Sequence, residues 1–227
     1  MKPWRRALTR KARKTGVTPA QRRHKLVGPA TLWKMKRAFQ VRFLKEQGLK
    51  PGDSLLDLGC GTLRGGIPII EYLEGGHYMG VDVRDEVIGE ALGEVARAGL
   101  AAKEPRVLLV PNLSVEDLGS RFDVVWGFQV LIHMTDEILA EAAGFIERHL
   151  AERGRGYVSV KVGQPRERSW KGFPAVTRPL EFYEERFAAV GLNVLDLGPL
   201  TDFGHNIPRR SIEQQSSQRM LLVERSG

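Results

Sequence analysis

Residues 54–66 read Ser54-Leu55-Leu56-Asp57-Leu58-Gly59-Cys60-Gly61-Thr62-Leu63-Arg64-Gly65-Gly66, and Tyr78-Met79-Gly80-Val81-Asp82 follows. Ser54–Leu58 is a short apolar run interrupted by one acid, which reads as a buried strand. Gly59 and Gly61 let the chain turn sharply out of that strand and bring its backbone against a ligand. Asp82 lies at the end of a second apolar run, Tyr78–Val83, and stands 23 residues beyond Gly59. A carboxylate there can accept both hydrogen bonds of a ribose diol. A dinucleotide fingerprint of the form G-x-G-x-x-G would need glycine where Arg64 stands. The spacing is instead Gly59-x-Gly61-x-x-x-Gly65.

Outward from this stretch, strand and helix signals alternate. Helices are expected over Ile67–Leu73, Glu86–Ala98, Thr135 to about Leu150, and Leu180–Val190. Thr135 is the N-cap of the third, and Asp136 and Glu137 lie in its first turn, where the dipole favours acids. Further strands are expected over Arg106–Val110, Phe122–Trp126, Gly156–Val162, Asn193–Leu197 and Arg219–Glu224. The pattern predicts an α/β protein: a doubly wound, Rossmann-like sheet of seven strands, mostly parallel, with an antiparallel last strand. Ligands of such sheets bind beyond the carboxyl ends of the strands, near the point where strand order reverses. The domain plan is a basic arm over 1–28, an amphipathic helix over 29–50 docking on the body, and a cofactor-binding body over 51–227. In the helix, Leu32, Met35, Phe39 and Phe43 follow helical spacing, with Trp33 and Leu44 widening the stripe. Trp33 and Gln40 are candidates for a lid over the ligand.

The segment Leu56-Asp57-Leu58-Gly59-Cys60-Gly61 resembles motif I of the class I S-adenosylmethionine-dependent methyltransferases, in a branch with an "LRGG" continuation at Leu63-Arg64-Gly65-Gly66. The resemblance covers about residues 52–225. It implies S-adenosyl-L-methionine as cofactor and S-adenosyl-L-homocysteine as product. It also implies roles by position. Gly59, Cys60 and Gly61 would pack on the methionine portion, and Asp57 would orient the loop and the cofactor's amino group. Asp82 would bind the ribose hydroxyls, and Asn112 and Leu113 would meet the adenine. Phe122–Gln129 resembles motif IV, whose end, Gly127 and Phe128, would line the cofactor and acceptor pocket.

Methyl transfer from a sulfonium needs mainly near-attack geometry and exclusion of water. A hydroxyl acceptor also benefits from a general base. His133, in Gln129-Val130-Leu131-Ile132-His133-Met134, and His205, in the loop Leu200–Arg210, are the candidate bases. Asp202, Asn206 and Arg209 of that loop are the candidate acceptor-binding residues. The charged, aromatic stretch Gly163–Phe173 is expected to border the acceptor pocket as a loop or flap. Cys60 has no paired histidine and reads as a small residue in a packed turn. The histidines show no metal-ligand spacing, so no metal site is expected.

Composition limits the other classes. Apolar residues make up 42% and charged residues 27%, enough for a folded core. One cysteine forbids an intrachain disulfide, no apolar run reaches a membrane span, and a cytoplasmic location is expected. The net charge of +8 divides unevenly. Fifteen Lys or Arg and no acid precede Glu46, while the remainder holds 20 basic and 27 acidic residues. The arm therefore reads as a solvated tail, an anion-binding arm or a targeting segment. Three functions follow. The first is O-methylation of a small-molecule or saccharide acceptor. The second is methylation of RNA or protein, with the arm capturing an anionic partner. The third is a non-catalytic cofactor-binding module. The absence of an Asn-Pro-Pro-Tyr or Asp-Pro-Pro-Tyr stretch after the fourth strand argues against the common route to nucleobase amino methylation.

Overall fold

The computed structural model describes Arg23, residues 26–170 and residues 172–227. Residues 1–22, 24, 25 and 171, and with them most of the expected basic arm, lie outside the described residues. A 3-10 turn at Ala30–Leu32 leads into α1 (Trp33–Glu46). Then come β1 (Leu55–Leu58), α2 (Gly66–Tyr72), β2 (Tyr78–Asp82), α3 (Asp85–Arg97), β3 (Arg106–Leu109) and β4 (Phe122–Gly127). These are followed by α4 (Asp136–His149), β5 (Leu150–Lys161), β6 (Arg166–Trp170), β7 (Phe173–Thr177), α5 (Leu180–Ala188), β8 (Leu192–Pro199), α6 (Ile212–Ser216) and β9 (Gln218–Arg225).

Seven strands form one sheet in the order β3-β2-β1-β4-β5-β9-β8. The first five are parallel, and β9 runs antiparallel to both β5 and β8. Every residue of β1 and β2 is buried, as expected for central parallel strands covered on both faces. Strand order reverses between β1 and β4, so the loops after these two strands open into one crevice. No helix among the described residues is long and apolar enough to cross a membrane.

Two elements depart from the sequence reading. The stretch after β5 is a hairpin, β6 paired with β7 from Arg166↔Thr177 to Trp170↔Phe173. The link between β8 and β9 contains the short helix α6, capped by Ser211, whose hydroxyl accepts from the Gln214 N–H at 3.2 Å.

Helix α1 docks by a face rotated from the predicted stripe. Trp33, Lys36, Phe39, Gln40, Phe43 and Leu44 are buried, whereas Leu32 and Met35 are only partly so. The rotation seats Phe43 against Trp126 (5.6 Å between centroids) and Tyr157 (5.6 Å). It also lets Trp126 Nε1 donate to Gln40 Oε1 at 3.0 Å, so the buried indole N–H is satisfied. Gln40 in turn packs on the first turn of α2: a Cβ at Gly65 would lie 2.3 Å from Gln40 Oε1. Gly65→Ala is therefore expected to destabilise by about 1–3 kcal/mol, as overpacking does. Gly89, inside α3 with nothing within 4 Å of an added Cβ, offers the opposite case. Gly89→Ala should stabilise by about 0.5–1 kcal/mol. Urea unfolding of the two variants checks both signs.

Candidate active site

The switch point opens into a cavity of about 630 Å³. Its floor is the turn after β1. The Gly59 and Cys60 N–H groups donate to Val81 O, at 2.8 and 3.0 Å, and the Gly61 N–H donates to Asp82 Oδ2 at 3.0 Å. Gly59 and Gly61 have φ of +72° and +56°, a region that L side chains rarely adopt. Space forbids a side chain as well. A Cβ at Gly59 would lie 2.5 Å from Val130, in the loop after β4, and one at Gly61 would lie 2.6 Å from Val27.

The floor carries two buried carboxylates. Tyr78 donates its hydroxyl to Asp57 Oδ2 at 2.6 Å, yet burial outweighs that bond and pushes the Asp57 pKa up to about 7. Asp82 accepts from the Gly61 N–H, from the Arg84 N–H at 3.1 Å and from Arg84 Nε at 3.3 Å. Cys60 lies between them. Burial first, then the neighbouring Asp57 and Asp82, holds its thiol well above the ordinary range, so it remains a thiol.

The roof comes from both ends of the sequence. Val27, Gly28 and Pro29 line the cavity, tied down by Arg64 Nη1 donating to Val27 O (3.0 Å) and Arg84 Nη1 donating to Leu26 O (3.3 Å). Phe173 and Ala175 of β7 line it from the other side. Between them stand groups that the sequence reading passed over. Lys36 of α1, 7% exposed, donates to Gln129 Oε1, and Gln129 Nε2 donates to Gln218 Oε1 at 3.1 Å. Gln129 sits in the left-handed region, φ +59°, with its N–H held by Ser159 Oγ at 2.7 Å. Lys161, the last residue of β5, and Arg210 complete this wall.

His133 also faces the cavity. Its Nδ1 lies 2.7 Å from Pro174 O, which can only accept, so Nδ1 carries the proton and Nε2 the basic lone pair. Burial lowers its pKa from 6.5, against the Pro174 bond, and Lys161, Arg84 and Lys36 lower it further.

Residues 56–155 match the family described as a methyltransferase domain. This match lies within a Rossmann-like sheet of seven strands. Solved structures agree on that fold. A S-adenosylmethionine-dependent methyltransferase from Clostridium acetobutylicum ATCC 824 superposes with TM-score 0.64 at 16% identity, over 86% of this chain and 92% of the other. Magnesium protoporphyrin IX methyltransferase from Synechocystis PCC 6803, with bound SAM, gives 0.62 at 17%, over 93% and 86%. The [4+2]-cyclase SpnF gives 0.64 at 16%, over 86% and 83%. No curated protein sequence matches the chain.

Within the matched residues, Asp57, Gly59, Cys60, Gly61, Asp82, Asn112, Leu113, Phe128 and His133 all line the cavity at the switch point. Gly127 does not. It ends β4, where a Cβ would meet Val158 at 3.1 Å and Leu131 at 3.3 Å, so packing accounts for it. Asn112 lines the wall, but its Oδ1 already accepts from the Ser114 N–H (2.9 Å) and hydroxyl (2.7 Å). That turn fills the lone pairs expected to receive an adenine amino group.

The loop after β8 needs the largest correction. Asp202, Asn206 and Arg209 are exposed and off the cavity, and only Arg210 of this loop reaches it. The loop clasps α1 instead: Phe203 packs on Phe43 at 5.1 Å, and Arg42 donates to Phe203 O at 2.6 Å. His205 points inward between Phe39 (5.0 Å) and Phe128 (5.5 Å). Burial, then Lys36, Arg64 and Arg210, lowers its pKa to about 3, and it does not line the cavity. A neutral imidazole there is core, not a base. His205→Ala should cost roughly 2–4 kcal/mol, like other large-to-small core changes. The pH dependence of methyl transfer should stay where it is in the parent; loss of its acidic limb would return His205 to the reaction.

Proposed function

We propose that the protein is a S-adenosylmethionine-dependent methyltransferase acting on a hydroxyl of a small molecule. The observation that carries this reading is one cavity in which the glycine turn, Asp82 and His133, its Nδ1 held by Pro174 O, share the same walls. Its fold neighbours include enzymes whose structures hold SAM or SAH.

The chain's residues fit that cofactor. Gly59 and Gly61 leave a backbone surface where any side chain would intrude. Asp82 lines the cavity, and a ribose diol would displace the 3.3 Å Arg84 Nε contact, the longest of its three. Asp57, joined to Tyr78, orients the turn, and Leu113 and Phe128 supply apolar wall. When bound, the cofactor supplies an electrophilic methyl group whose sulfur leaving group departs uncharged. The protein then has to place the acceptor oxygen in line and keep water out. The Val27–Pro29 segment and the β6–β7 hairpin exclude water, and His133 Nε2 takes the hydroxyl proton as the oxygen attacks.

Two outcomes test this. Asp82→Asn should weaken S-adenosylhomocysteine binding about 10- to 100-fold, the worth of hydrogen bonds to a charged group, read by calorimetry. A base must be neutral to accept a proton, and burial favours the neutral form of His133. The rate should therefore rise with pH through a midpoint below 6.5 and level off above it. His133→Gln should remove that limb. A flat profile in the parent enzyme would dismiss the base.

A further inference from the structure

Three cations from separate elements line the same cavity as His133: Lys36 of α1, Lys161 at the end of β5, and Arg210 before α6. A chain of contacts links the two lysines. Lys36 bonds Gln129, Gln129 bonds Gln218, and Gln218 stands opposite Lys161 in the β5–β9 register. The described residues include every Asp and Glu of the chain, and none of these forms an ion pair with Lys36, Lys161 or Arg210. The acids on the cavity wall are Asp57, engaged by Tyr78; Asp82, engaged by Gly61 and Arg84; and Glu141, exposed on α4.

An almost fully buried ammonium without a counter-ion is costly. Consistent with that, burial and then Arg64 and Arg210 lower the Lys36 pKa from 10.5 to about 7, and burial, then Arg210 and Arg168, lower that of Lys161. The arrangement is relieved by an anion entering the cavity. The methionine carboxylate of the proposed cofactor can pair with one of the three cations, which leaves two. A cavity of about 630 Å³, walled by Val27–Pro29 and β7, suits a small molecule.

We propose that Lys36, Lys161 and Arg210 form an oxyanion subsite, so that the methyl acceptor is a small molecule bearing a carboxylate or phosphate besides its hydroxyl. This rests on the methyl-transfer reading. The anion fixes the acceptor at one end while its hydroxyl meets His133 Nε2. Lys and Arg suit that task, because charge-assisted bonds to oxyanions are short and strong.

The test uses the full chain saturated with S-adenosylhomocysteine. Sodium phosphate and sodium acetate are titrated separately, with sodium chloride holding ionic strength constant, and the thermal midpoint is followed. At least one of the two anions should raise the midpoint saturably. A response to phosphate alone marks a phosphate-bearing acceptor, and one to acetate alone marks a carboxylate. Lys161→Met and Arg210→Gln should each weaken that response by about 10-fold or more, the worth of a charge-assisted bond. Their affinity for S-adenosylhomocysteine should fall far less. No response beyond chloride in the parent, or unchanged responses in both variants, overturns the subsite. Equal loss of S-adenosylhomocysteine affinity in both variants assigns the cations to the cofactor and overturns it too. Failure of the parent to bind S-adenosylhomocysteine counts against the cofactor reading alone, and the anions are then titrated on the unliganded chain with the same criteria.

Discussion

The Asp82 carboxylate accepts the Gly61 N–H at 3.0 Å, while the Gly59 and Cys60 N–H groups are held by Val81 O. These bonds fold the end of β1 back onto the end of β2. Each is available only because Gly59 and Gly61 enter the left-handed region and carry no Cβ. The consequences reach distant chain. Val130 can close on Gly59 and Val27 on Gly61, so the loop after β4 and the segment before α1 become cavity walls. A side chain at Gly59 would push the Val130 wall outward, and one at Gly61 the Val27 wall.

Arg64, which stands where a dinucleotide-binding loop has its third glycine, has a physical use here. Its guanidinium lies buried beside Asp57 and donates to Val27 O, which ties the segment before α1 over the turn. Burial lowers its pKa to about 10, against the pull of Asp57, so it keeps its charge at neutral pH. The close packing that a glycine would provide is moved to Gly65, under Gln40. One sequence departure thus separates this cavity from a dinucleotide fingerprint and supplies part of its roof.

The parallel core was legible because each strand is a short apolar run ended by turn residues, and burial on both faces leaves no other pattern. The cofactor side was legible for the same local reason: glycine turn and acid lie on consecutive strands. The acceptor side was not. Lys36 occupies a helical position indistinguishable in sequence from a solvated lysine, and its burial follows from the rotation that seats Phe43 on Trp126. The one available signal was the spacing Trp33, Lys36, Gln40, Phe43, which shares a helical face. The β6–β7 hairpin lacks apolar alternation, because Arg166, Glu167 and Arg168 belong to a flap and not to a core strand. His205 looked like a loop residue near a ligand because loop position predicts exposure. The aromatic pocket of Phe39 and Phe128 that draws it inward is assembled from chain more than 70 residues away.

The glycine turn, Asp82 and Arg64 together suit S-adenosylmethionine and not a nicotinamide dinucleotide. Isothermal titration of the full chain with S-adenosylhomocysteine and, separately, with NAD tests that preference most directly. Saturable one-to-one binding of S-adenosylhomocysteine and no heat of binding with NAD are expected. Binding of NAD in preference would contradict this reading.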